Sequence, residues 1–285
     1  MQSTSMPKGS TTIPESSDLL YLAKASVFVL KISGHFKKKK KAIYASGFSI
    51  GVDGVLMTCA CVLTNIKSLK IEVRSLDEEG FNRTAKLVLL STEWDLALLE
   101  VDRINSSASM TLAMDGSISE GEALFHIGHP HNFIGSFLTG RAAYSCVESV
   151  ILPSDSCTCA KYACDPLDST PRYRIMCHIW NDEVFAQFHG KEFQFEKNLH
   201  PHVPIIKCAG LSCEDGCLGG PVFNDRGKIV GMMVAQVHGY QISIHVTLLR
   251  FFVQRYIEQQ NACSSSLDVK RKEPMEELVP KKKTL

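Results

Sequence analysis

The chain has 285 residues, 45% of them hydrophobic, enough to build one large core or two barrels sharing an interface. Charged residues make up 21% and leave a net charge of +1, so no global field draws the protein to nucleic acid or to an anionic membrane. The longest apolar runs, such as 242–249, are interrupted and fall far short of the ~20 residues that a membrane span needs, so no membrane partner is expected.

Residues 1–18 are rich in Ser, Thr and Pro and lack periodicity, so a disordered tail is expected there. From there to residue 245 the chain reads as short β-branched or aromatic runs broken by Gly, Asn, Asp and Pro, the spacing of an all-β sandwich or barrel. The first half predicts strands at 25–33, 43–51, 55–60, 69–75, 85–91 and 96–102, enough for one closed barrel. The second half predicts strands at 123–127, 138–150, 173–180, 205–208, 221–224, 228–237 and 240–245. Asp225-Arg226-Gly227 is a hairpin turn in which Gly227 can take positive φ. From 246 to 260 the period changes: Leu249, Phe252 or Val253, Tyr256 and Ile257 fall at three-and-four spacing, which predicts an amphipathic helix. Residues 261–285 read as a basic, disordered tail.

Eleven cysteines are an odd count, and the first thirty residues contain Glu15 and Asp18 and no long apolar leader. A reduced, intracellular chain of the cytoplasm or nucleus is expected, most thiols being small core hydrophobes. Cys157, Cys159, Cys164 and Cys177 could supply zinc ligands, but their spacing is not a standard knuckle, so neither metal nor cofactor is expected. Lys37 to Lys41 are placed in a solvated loop between the first two strands, and Lys270-Arg271-Lys272 and Lys281-Lys282-Lys283 in the tail. Such runs could contact nucleic acid electrostatically or serve as nuclear signals. No aromatic residue interleaves with them for stacking.

The chemistry-bearing segment is Asp215-Gly216-Cys217-Leu218-Gly219-Gly220-Pro221, followed by the hairpin just described. A tight glycine turn points successive backbone N–H groups into one hole. Gly-Gly-Pro alone punctuates many loops. Three further segments stand in order with it: Ala45-Ser46-Gly47-Phe48 leading to Thr58-Cys59-Ala60-Cys61, Trp94-Asp95-Leu96-Ala97, and Gly121 to Pro130 followed by Leu138-Thr139-Gly140. Together, over residues 25–256, they resemble the Do (HtrA/Deg) branch of the trypsin-like serine proteases; residues 151–200 carry few family landmarks.

The resemblance implies a trypsin-like double β-barrel: two six-stranded antiparallel barrels at about 20–112 and 120–245, a C-terminal helix at 246–260, and after Gln260 no segment that reads as a PDZ domain. It puts Cys61 where the catalytic His would stand, Leu218 where the nucleophilic Ser would stand, and keeps Asp95 as the third member. Such a triad needs a hydroxyl, an imidazole to take its proton and a carboxylate to orient the imidazole. Leucine has no nucleophile and a thiol has no second nitrogen to relay a proton, so an inactive protease homologue is expected. The resemblance also keeps the backbone of Gly216 and Leu218 as an oxyanion hole, Ser212 and Cys213 as a small uncharged pocket, and Gln236, Val237 and His238 as an edge pairing with peptide backbone. Binding of a peptide or partner protein, an active relative among the candidates, follows as the leading expectation. The alternative is a peptidase using Cys217 as a thiol nucleophile; a further one is a basic nuclear accessory protein. His126, His129 and His131 are expected in a partly exposed turn rather than as the missing base.

Overall fold

The computed structural model describes residues 20–21, 24–36, 39–64, 66–92, 94–102, 110–114, 118–130, 133–146, 204–211, 213–214, 216–237 and 239–271. Six antiparallel strands close the first barrel: β1 (Val27–Phe36), β2 (Lys39–Ser49), β3 (Val55–Thr58), β4 (Ile66–Ser75), β5 (Arg83–Ser91) and β6 (Leu96–Val101), in the order β1-β2-β3-β6-β5-β4. Six more close the second: β7 (Ala123–Gly128), β8 (Ser136–Cys146), β9 (Ile205–Ala209), β10 (Pro221–Asn224), β11 (Ile229–Val237) and β12 (Tyr240–His245), in the order β10-β11-β12-β9-β8-β7. β8 pairs directly with β9, so the second barrel closes without a strand from 173–180, a stretch outside the described residues.

The first hairpin is longer than expected. Lys39, Lys40 and Lys41 are not loop residues: they belong to β2 and pair with Phe36, His35 and Gly34 of β1, exposed at the hairpin's end. Their long stems suit a solvated strand end, where backbone pairing needs nothing from the side chain. Lys37 and Lys38 lie outside the described residues. The turn at 225–227 forms as read, with Gly227 at φ 70° and Asn224 Oδ1 accepting from the amides of Arg226 and Lys228 at 3.1 and 3.0 Å.

One continuous core joins the barrels. Leu30, Phe48, Leu56 and Leu98 of the first barrel pack in the same cluster as Phe223, Met232 and Ile244 of the second. The C-terminal helix, α1 (Val246–Arg271), runs on beyond Gln260, so the expected tail boundary at 261 is corrected. Helix propensity carries the element forward: Glu258, Gln259 and Gln260 are good helix formers and no Gly or Pro interrupts before Arg271. Its apolar side docks on Trp94, whose ring meets Phe251 at 5.5 Å and Phe252 at 6.1 Å in edge-on geometry while Arg255 covers it at 5.4 Å. The helix leaves the second barrel through β12 and thereby grips the residue preceding Asp95 in the first.

Phe252 is 1% exposed. Phe252→Ala is expected to lower unfolding stability by about 3–5 kcal/mol, measured by urea denaturation. A change within 1 kcal/mol would mean that the helix is not part of the cooperative core.

Candidate functional site

The turn at 216–220 is clamped between the barrels. Gly216 and Gly219 take the left-handed region at φ 100° and 81°. A Cβ on Gly219 would stand under 3.0 Å from Ser46 O, Thr58 Oγ1 and Cys59 N, so only glycine allows this approach to the first barrel. Hydrogen bonds fix the contact: Ser46 N–H donates to Leu218 O at 2.9 Å, Ser46 Oγ–H to Gly216 O at 2.7 Å, and Thr58 Oγ1–H to Ser46 O at 2.8 Å. On the other side Gly219 N–H donates to Met233 O at 2.8 Å and Met233 N–H to Gly220 O at 2.9 Å. Leu218 is half-buried, and no hydrogen bond among the described residues engages the amides of Gly216 or Leu218.

Across this contact lie Cys61 and Asp95. Thr58 of β3 pairs with Ala97 of β6, which brings the chain just after β3 beside the chain just before β6. Asp95 holds φ 51°, a conformation costly for a residue with a Cβ, and Ala60 N–H donates to its carbonyl at 3.2 Å. Cys61 N–H donates to Asp95 Oδ1 at 2.6 Å. Asp95 is buried, and that burial pushes its carboxyl up to about 7 against the pull of the Cys61 amide, the Cys61 thiol and the Ala60 amide. The Cys61 thiol is raised well above the ordinary range by its hydrogen bond to Cys59, by burial and by the neighbouring Asp95. The two sulfurs, Cys59 Sγ and Cys61 Sγ, stand 3.4 Å apart.

Cys217 points the other way. It is fully buried, its Sγ lies against Gly128, and burial pushes its thiol up to about 11. His126 and His129 are not in an exposed turn; both are buried, because β7 continues through Gly128 and seats them beneath the glycine turn. His126 Nδ1 bonds Pro221 O at 2.8 Å, and its buried Nε2 has no partner among the described residues. His129 accepts from Gly135 N–H at Nδ1, 3.1 Å, and so donates from Nε2 to Phe28 O of the first barrel at 3.2 Å. His131 lies outside the described residues.

β10 pairs with β11 only as far as Met232. Beyond the link from Met233 to the glycine turn, β11 residues 234–237 have β12 on one side and no described strand on the other. Gln236 is exposed there and its Oε1 accepts from Cys213 N–H at 3.4 Å, with Cys213 half-buried. Val237 ends the strand. Ser212, His238 and the four cysteines Cys157, Cys159, Cys164 and Cys177 lie outside the described residues. Sequence reasoning did not assign roles to Ser46, which joins the turn to the first barrel, or to Cys59. The Cys-Ala-Cys spacing was visible, but pairing of its sulfurs depends on the turn after β3.

Two closed six-stranded antiparallel barrels with a glycine turn at their junction and a terminal helix define a trypsin-like double barrel. The family model described as the trypsin-like peptidase domain matches residues 45–232, and the chain belongs to that family, in its Do/HtrA-like form. It is 29% identical over 112 residues to Serine protease HTRA1 of Xenopus laevis, an alignment covering 39% of this chain and 24% of the relative. With Serine protease HTRA1 of Xenopus tropicalis it shares 30% over 105 residues, covering 37% and 22%. The matched stretch thus spans about a quarter of these relatives. The solved structure "HtrA-type protease AlgW with tripeptide" superposes with a TM-score of 0.60 at 18% identity, covering 87% of this chain and 65% of that one.

Burial holds His126 and His129 each down to about 4 from an ordinary 6.5. Between those pH values the unfolded chain takes up protons that the folded one refuses, so each histidine's contribution is present above pH 6.5 and lost toward pH 4. Asp95, raised in the folded state, acts in the opposite direction over an overlapping range. The expected result is therefore a difference between proteins. His126→Leu should lose less stability than the wild type between pH 6.5 and 4, by roughly 3 kcal/mol, in urea titrations at each pH. Parallel curves would mean that His126 is protonated in the folded state.

Proposed function

We propose that this chain is a pseudoprotease: a Do-like trypsin fold that holds an extended peptide or a partner protein's segment without cutting it. The observation that carries the reading is the edge of β11 at 234–237, which has no described strand on one side and begins next to Met233, where the glycine turn is hydrogen-bonded to β11. Peptides add to such edges through main-chain hydrogen bonds, with no call on a catalytic side chain. The amides of Gly216 and Leu218 supply two donors for a ligand carbonyl or carboxylate, a role that asks nothing of the side chain at 218. Cys213 and Gln236 would line the adjoining surface. A tripeptide accompanies the structural relative AlgW, which accords with a peptide ligand here.

Loss of catalysis follows from the residue types. Leu218 offers no nucleophile, and Cys61 hydrogen-bonded to Cys59 beside Asp95 is a protonated thiol, not a base. A thiol peptidase built on Cys217 is disfavoured by its full burial and by a thiol pushed to about 11, since only a thiolate attacks. Binding to nucleic acid through Lys39 to Lys41 and the basic tail is the weaker reading, as those lysines lie at the far end of the β1–β2 hairpin from Ser46 and the glycine turn.

The test is to screen the full chain against a mixed peptide library, recording retention and cleavage by mass spectrometry, and to map hydrogen exchange with a retained peptide. The expected outcome is retention with intact peptides and slowed exchange over 216–218 and 234–237. Cleavage abolished by Cys217→Ser would replace this reading with the thiol peptidase, and protection confined elsewhere would remove the edge of β11 as the site. Iodoacetamide at pH 7 should leave Cys217 unmodified in the folded chain.

A further inference from the structure

The first-barrel half of the site carries a feature that peptide binding does not use. Cys59 and Cys61 flank Ala60 in the turn after β3, with their sulfurs 3.4 Å apart, and a carboxylate oxygen of Asp95 joins them so that all three ligand atoms lie within 4.8 Å of one another. Two separate segments supply these donors. Their juxtaposition is fixed by the Thr58–Ala97 pairing, by Ala60 N–H on the Asp95 carbonyl and by Cys61 N–H on Oδ1. That last bond orients the carboxylate, which also takes hydrogen bonds from the Cys61 thiol and the Ala60 amide.

Asp95 is 4% exposed and has no cationic partner among the described residues: no Lys, Arg or His there forms an ion pair with it. Buried carboxylates are normally paired with a cation or coordinate a metal. Here the nearest polar side chains are two thiols, which as thiolates add negative charge rather than balance it. A cation at their centre would balance all three.

We propose that Cys59, Cys61 and Asp95 form a zinc site at the junction of the barrels. Two thiolate sulfurs, each about 2.3 Å from a tetrahedral zinc ion, stand roughly 3.8 Å apart, so the observed pair needs to open only slightly. Thiolate donors select zinc or a similar thiophilic ion over calcium or magnesium, which take oxygen ligands. Binding forms two Zn–S bonds and one Zn–O bond; the two thiol protons, and any proton on the carboxyl, pass to solvent. Three protein donors leave a fourth position. Cys61 is the least buried of the three, so that position opens on its side, toward solvent or a docked ligand. The bland reading of two packed, reduced thiols accounts for the cysteines but leaves the buried carboxylate without a cationic partner among the described residues.

Cobalt(II) substitution tests this on the full chain, reduced and freed of metal. The expected result is one Co²⁺ per chain with thiolate-to-cobalt charge-transfer and tetrahedral d–d bands, displaced stoichiometrically by Zn²⁺. A variant with Cys157, Cys159, Cys164 and Cys177 all changed to Ser should keep these bands, while C59S/C61S should lose them. Asp95→Asn, nearly isosteric and so a safeguard against misfolding, should weaken zinc binding at least about tenfold in a chelator competition. Bands that vanish in the quadruple variant and persist in C59S/C61S would overturn the proposal. So would a reduced wild-type chain that gives no bands, or mass spectrometry showing Cys59 and Cys61 joined as a disulfide that blocks metal.

Discussion

The seat of Gly219 on the first barrel is the constraint from which the rest of the site follows. With no Cβ and φ at 81°, Gly219 lets the turn touch Ser46, Thr58 and Cys59, and Ser46 then bonds both Gly216 O and Leu218 O. The same turn is tied to Met233 of β11 by a reciprocal pair of hydrogen bonds. One segment therefore fixes three things at once: how the barrels meet, where the amides of Gly216 and Leu218 stand, and where β11 parts from β10. None of these bonds involves the side chain of Leu218 or Cys61. Under the proposed reading, this is why a chain can lose its catalytic side chains and still keep a shaped cleft.

On the opposite wall the fold holds Asp95 at an energetic cost. Its left-handed backbone is strained, and its burial disfavours the charged carboxylate. The compensating elements are the amides of Ala60 and Cys61 and the grip of α1 on Trp94. In a triad such a carboxylate would be set against an imidazole. Here it faces two sulfurs, and a zinc ion in that position would turn the strained arrangement into a bound one.

Much of this was legible in the residues, for physical reasons that differ from place to place. Short alternating runs with Gly, Asn and Asp between them marked all twelve strands to within a few residues, since pleat period and turn chemistry are local properties. Asp225-Arg226-Gly227 was readable for the same reason. The seven expected strands of the second half included 173–180, which the closed barrel does not require, because local β propensity carries no information about closure. The burial of His126 and His129 was not legible: a His-rich stretch beside Pro130 looks like a polar turn until β7 is seen to run beneath the glycine turn. Lys39 to Lys41 were misplaced because lysine disfavours strands in isolation, whereas pairing with β1 decided the matter. The approach of Cys59 to Cys61 and the role of Ser46 depend on contacts across the fold that no window of sequence contains.

The central claim is that the backbone of a hydrolytic site persists while its side-chain chemistry does not. Restoring both positions at once, Cys61→His with Leu218→Ser, separates the two. The account predicts measurable hydrolysis of small activated esters by the folded double variant, none by the parent chain, and labelling of residue 218 by a fluorophosphonate probe. A double variant that folds with the parent's stability yet neither turns over ester nor takes the probe would contradict it, because the turn at 216–220 would then no longer be preorganised for a carbonyl.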